Sequence, residues 1–222
     1  LVFAVFPRMG GRACDEPARE EWMRSGRLLG RIHQVGRCRT AEHRLTMHPR
    51  QSSRTHLEFL RDSGAIPREV EGRYLDTAER LLDRIAPLFE GVAVQRLHGD
   101  LHRMNLLWRP GEGFHAIDFD DMGMGPAVQD LWMLLPDRLP SARPEFDLLL
   151  EGYELFSEYE DSQTRLIEPL RAMRYLHYAA WCARQKADGG RGLLGADWGT
   201  ADFWRRELAD LQRQAQDIED LA

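Results

Sequence analysis

Two short segments of the 222-residue sequence hold the side chains best suited to chemistry: His98-Gly99-Asp100-Leu101-His102-Arg103-Met104-Asn105 and Ile117-Asp118-Phe119-Asp120-Asp121. The chemistry they suit is phosphoryl transfer from ATP to a hydroxyl. That reaction needs a base to accept the hydroxyl proton, and Mg2+ to neutralise charge on the nucleotide phosphates, held by oxygen ligands such as one amide and one carboxylate. Asp100 suits the base. Asn105, at the far end of the same loop, offers a neutral amide oxygen to Mg2+, and Asp118 supplies the anionic, catalytically essential ligand between phosphates. His98 reads as a structural support, because a ring bonded to loop backbone serves better as a brace than as a second base. His102 has no role that its position alone assigns. Asp120 and Asp121 add negative charge beside the metal, yet either also suits a bond to loop backbone, so both rank below Asp118.

These loops need rigid elements to hold them. Residues 92–97 form a short apolar run ahead of the first loop. Leu106, Leu107 and Trp108, then a turn at 109–113, then Phe114 to Ile117 predict a small hairpin that delivers Asp118. Around it the pattern is helical. Trp22, Leu28, Leu29, Ile32 and Val35 predict a helix ending near Gly36, and Val70, Tyr74, Ala78, Leu81, Leu82 and Ile85 fall on one face of a second helix over 69–89. Further helices are expected around 128–135, 146–159, 166–187 and 203–218, with Tyr175, Tyr178 and Trp181 packed into the core. Residues 37–55 read as a loop. Its His43 and His48, with His33 and Cys38, match no zinc-site spacing. The first six residues are apolar and β-prone, which suits a buried strand.

With 43% hydrophobic and 30% charged residues, the chain can build one sizeable core or two small ones. A formal charge of −6 and a pI near 5.8 argue against a nucleic-acid partner. Cys14, Cys38 and Cys182 are odd in number and form no CxxC pair, so they read as free thiols in a cytoplasmic protein. The apolar start falls far short of the roughly 20 residues that span a bilayer, and no membrane partner is expected. Composition does not fix an oligomeric state.

The order of base, amide and metal carboxylate is that of the kinase catalytic and magnesium loops, with His98 as the leading His. The sequence resembles the aminoglycoside and choline kinase branch of the protein-kinase-like superfamily, whose motifs HGDxHxxN and I-D-F it carries at 98–105 and 117–119. The strings FAVFPxxGGR at 3–12, RLHGDxHxxNxLWR at 96–109, GPAVQDLWMLL at 125–135 and IEPLRAMR at 167–174 are similar to a bacterial group of stress-response serine/threonine protein kinases within that branch.

The resemblance implies an α+β, mostly α fold: the C-terminal lobe of a protein-kinase-like fold, with a short active-site hairpin and a hinge strand remnant. It divides the chain into residues 1–12, the last N-lobe strand and hinge, and residues 13–222, the helical catalytic lobe. It makes Asp100 the proton acceptor, Asn105 and Asp118 the Mg2+ ligands, Phe6 and Arg8 part of a hinge against the adenine of ATP, and Asp130 an internal brace between a helix and the catalytic loop. The acceptor it implies is Ser/Thr of proteins, the alternative being a small-molecule hydroxyl such as that of an aminoglycoside, choline or homoserine. Members of that branch also carry a glycine-rich loop, a phosphate-binding Lys and its Glu partner. The 222 residues have no counterpart of these, which leads to the expectation of a chain that starts inside a domain, with weak nucleotide binding and negligible turnover, or of a silent binding module.

Overall fold

The computed structural model describes residues 5, 7, 8, 10–13, 17–189, 195 and 197–220. Of the expected first strand only Val5 is described, and it is 83% exposed and in no strand; Phe6 of the hinge reading lies outside the described residues. Arg8 is described and exposed. Among the described residues helices predominate, with two small antiparallel sheets, so the mostly α fold and the hairpin expected from the sequence are both present. The chain divides into two units, Leu1–Arg44 with Val94–Asp161 and Leu45–Ala93 with Ser162–Ala222.

The first unit holds every residue of the two motif loops. Its elements are α1 (Arg19–Gly36), β1 (Gln95–Leu97), β2 (Leu106–Arg109), β3 (Gly113–Ala116), β4 (Gly123–Gly125), α4 (Val128–Trp132) and α5 (Arg143–Tyr153). α1 and α5 pack backbone against backbone: a Cβ added at Gly26 would collide with the Leu149 carbonyl, and one at Gly152 with the Met23 carbonyl. This close approach selects which face of α1 turns inward. The buried side is Trp22, Ser25, Gly26, Leu29, Gly30, His33 and Gly36, while Val35, expected in the apolar face, is 62% exposed.

β2 and β3 form the predicted hairpin, with Leu106 opposite Ala116 and Arg109 opposite Gly113. Its outer edge is taken by Arg12, which exchanges two backbone hydrogen bonds with Trp108 at 3.1 and 2.8 Å. β1 pairs with β4 in the register Gln95 to Gly125 and Leu97 to Gly123. β4 was not expected, because the Gly-Met-Gly of its sequence has none of the β-branched or aromatic character of a strand.

The second unit contains a π-helical turn (Pro49–Ser53), α2 (Arg54–Ser63), α3 (Arg68–Ile85), α6 (Ile167–Ala187) and α7 (Ala201–Asp220). The face of α3 named from periodicity is the buried one. Tyr74 meets Trp204 of α7 edge to face at 5.1 Å, and both are buried. α2 begins inside the segment read as a loop, since Arg54, Thr55, His56 and Glu58 obscure its short stripe of Leu57 and Leu60. Gly64 at φ +63° ends it in the left-handed conformation that glycine accepts without a Cβ clash. On α6 the buried stripe is Met173, Leu176, Ala179, Ala180 and Ala183. Tyr178 is 50% exposed and stacks on Trp181, which like Tyr175 is half-buried, so none of the three is the fully buried core residue that helical spacing suggests.

A polar cluster joins α2 and α6. His56 is buried, its Nε2 lies 3.3 Å from His177 Nδ1, and the Arg184 guanidinium reaches its Nδ1 at 3.4 Å. Burial, then His177 and Arg184, push its pKa down to about 3. The unfolded chain therefore takes up a proton near pH 6.5 that the folded one refuses until about pH 3. Stability is whole above the unfolded value and falls as pH drops through that window. Glu207, pushed up to about 6 by burial and Asp210, works in the opposite direction, so the His56 part must be isolated by difference. Between pH 7 and pH 5 the wild type is expected to lose about 2 kcal/mol more than His56→Gln in urea unfolding. Parallel pH profiles for the two would show that His56 does not titrate in this way.

Candidate active site

The first motif loop leaves β1 after Leu97 and re-enters at β2. His98 is fully buried; its Nε2–H donates to the Ile117 carbonyl at 2.8 Å, and its Nδ1 faces the Asp100 amide at 3.4 Å. A carbonyl oxygen only accepts, so the proton sits on Nε2 and leaves Nδ1 its lone pair for the amide. The ring also lies against Phe119 with centroids 4.4 Å apart. Gly99, at φ +90°, turns the chain so that consecutive amides reach one carboxylate. Asp130 of α4 receives them, from His98 N–H at 2.8 Å and Gly99 N–H at 2.9 Å.

Asp130 is wholly buried, and a third donor completes its shell: His33 Nε2 of α1 at 2.9 Å. His33 Nδ1 in turn meets the Tyr153 hydroxyl of α5 at 3.0 Å. Burial pushes the Tyr153 phenol up, so it keeps the proton it donates. Arg37 donates to the same phenol oxygen at 3.4 Å and to Gln95 Oε1 at 2.7 Å. Gln129 Nε2 holds the Gly99 carbonyl at 3.2 Å, and Trp132 Nε1 holds the Gln129 amide at 3.0 Å. Three helices and the start of β1 thus fix the peptide planes that precede Asp100.

Asp100 is half-buried, with Oδ2 3.6 Å from His102 Nε2. Asn105 is buried and donates from Nδ2 to the Asp100 main-chain carbonyl at 2.9 Å. Because that partner only accepts, the amide nitrogen must lie on this side, which leaves the amide oxygen for another ligand. The Asn105 carbonyl accepts the Ile117 N–H at 3.0 Å, so the residue before Asp118 is tied to Asn105 and to His98 at once. Asp118 is exposed and has φ +63°, the only positive φ among the described non-glycine residues. Asp100, Asn105 and Asp118 are therefore linked through hydrogen bonds to the main chain, while Arg8 has no described bond to them. Among the described residues no group of three or more His, Cys, Asp or Glu side chains forms a metal cage. An amide oxygen and one carboxylate suit a hard cation such as Mg2+ that takes its remaining ligands from phosphates and water.

A model of the phosphotransferase enzyme family matches residues 1–165. The chain belongs to that family. It is 38% identical to stress response kinase A of Escherichia coli K12 over 222 residues, which cover 99% of the chain and 67% of that relative. It is 35% identical to the serine/threonine protein kinase RdoA of Salmonella typhimurium LT2, covering 96% of the chain and 65% of the relative. Among solved structures, the amicoumacin kinase in complex with AMP-PNP and Ca2+ superposes with a TM-score of 0.65 at 20% identity, over 97% of the chain and 64% of that protein. The chain thus spans about two thirds of the proteins it matches, and its fold is that of kinase-like phosphotransferases.

For a phosphotransferase the support around the motif loops is extensive, and sequence reading missed much of it. From sequence His33 stands out only as a possible zinc ligand. The available signal was its place on the inward face of an amphipathic helix, where a buried imidazole needs polar partners. Asp130 is the brace that the resemblance implies, but nothing local to His33 pairs it with a carboxylate 97 residues away in sequence. Tyr153 and Gln129 carried no signal beyond apolar or polar type. No described helix is long and apolar enough to cross a membrane.

Proposed function

We propose that this phosphotransferase moves the γ-phosphoryl group of ATP to the hydroxyl of protein Ser or Thr residues, with Mg2+ as the required cation. The observation that carries this reading is the backbone linkage of Asp100, Asn105 and Asp118, in which Asn105 bonds the Asp100 carbonyl and holds Ile117 next to Asp118. Asp100 orients the acceptor hydroxyl and takes its proton as the new O–P bond forms and the bond to ADP breaks. Asn105 Oδ1 and the Asp118 carboxylate hold the cation. When bound, Mg2+ neutralises charge on the phosphate oxygens. Arg8 belongs to the hinge that meets adenine. The protein acceptor is supported by the serine/threonine kinase among the relatives.

The test is transfer from γ-labelled ATP by the intact protein to dephosphorylated casein and, in parallel, to choline, homoserine and an aminoglycoside. Label is expected in casein Ser/Thr, abolished by EDTA and restored by excess Mg2+. Label in a small alcohol alone would move the acceptor class. Bound Mg2+·ATP with no transfer to anything would replace the enzyme with a binding module.

A further inference from the structure

The loop around Asp118 is strongly acidic. Asp118, Asp120 and Asp121 place three carboxylates within four residues, and all three residues are exposed. Such charges repel one another and favour a spread turn over a tight one. Inside the loop the Met122 amide donates to the Phe119 carbonyl at 3.1 Å, and the pairing of β4 with β1 anchors its exit. Its tip is held from outside. The segment that follows α1 comes back over the loop, where the Ala41 amide rests on Met124 Sδ at 3.4 Å and Arg44 Nη1 donates to the Asp120 main-chain carbonyl at 2.7 Å. Arg44 is exposed, so packing does not require it there.

We propose that Arg44 is a positioning residue for Asp118: its guanidinium pins the Asp120 carbonyl and offsets the charge of the acidic turn, which keeps the Asp118 carboxylate set for a cation bound to nucleotide phosphate. This rests on the reading of Asp118 as a metal ligand. A guanidinium is suited to both tasks, since it is always charged and offers several N–H donors in one plane. The bond is to backbone, so it acts on the path of the chain and not on a carboxylate.

The experiment uses the intact protein with Arg44→Met and Arg44→Lys. Amide hydrogen exchange at Met122 is followed without metal, Mg2+·AMP-PNP binding by calorimetry, and kcat and half-saturating Mg2+ by phosphotransfer. In Arg44→Met, Met122 is expected to exchange faster, and nucleotide binding and Mg2+ dependence to weaken about three- to tenfold. Melting temperature stays near wild type because an exposed side chain is removed. Lys recovers part of the loss, since charge returns without the fork. A wild type that binds Mg2+·AMP-PNP beside an Arg44→Met variant equal to it in binding and exchange overturns this inference alone. A wild type that binds no Mg2+·AMP-PNP overturns the functional reading and this inference with it.

Discussion

Asp100→Asn is expected to lower kcat for phosphotransfer by about 10²- to 10⁴-fold, the usual contribution of a general base, while leaving Mg2+·ATP binding close to wild type. The substitution separates two things that the loop does. Asn105 bonds the main-chain carbonyl of Asp100, and His98 faces its main-chain amide, so both contacts survive a change of side chain. Asn has the shape of Asp, keeps a hydrogen-bond acceptor for orienting a hydroxyl, and has no basic oxygen for its proton. A drop in kcat with an unchanged KM for ATP therefore identifies loss of the base. Retention of kcat within about threefold would mean that the hydroxyl loses its proton elsewhere, since a positioned base contributes far more than that. A parallel fall in nucleotide affinity would instead place Asp100 in binding.

The sequence made the hairpin, α3 and the order of the two motif loops legible, because each depends on contacts close along the chain. Val70 to Ile85 repeat at helical spacing, and the turn between β2 and β3 is marked by Pro110 and glycines. What stayed hidden depends on long-range geometry. The inward face of α1 was misjudged because its packing on α5 is decided by Gly26 and Gly152, which a reading based on apolar bulk passes over. β4 exists because β1 lies beside it. The support for the loops was only half visible: the resemblance pointed to Asp130, but its partners His33 and Tyr153 come from helices brought together by folding. Asp100, Asn105 and Asp118 could be named from their motifs. The tie from Asn105 to Ile117 that brings them together is a backbone bond, to which side-chain identity gives no clue.

Asp118→Asn is expected to weaken Mg2+·AMP-PNP binding by more than about a hundredfold, since even changes outside a metal's ligand shell commonly cost about 10- to 100-fold. The choice of Asn follows from the backbone. Asp118 sits at φ +63°, where most side chains with a Cβ are strained and Asp and Asn are tolerated best. Asn therefore removes the charge and keeps the turn, whereas a β-branched residue would disturb the loop and confuse ligation with refolding of the site. Asp120→Asn is the matched control: it removes the same charge two residues along the same exposed turn and leaves the Asp118 carboxylate in place. General electrostatic attraction for Mg2+ would weaken binding equally in both variants. Direct ligation predicts a large loss for Asp118→Asn, a loss below about threefold for Asp120→Asn because exposed charges act weakly at a distance, and equal melting temperatures without metal. Equal losses in the two variants would remove Asp118 from the cation's ligands and leave the acidic turn as a diffuse counter-charge.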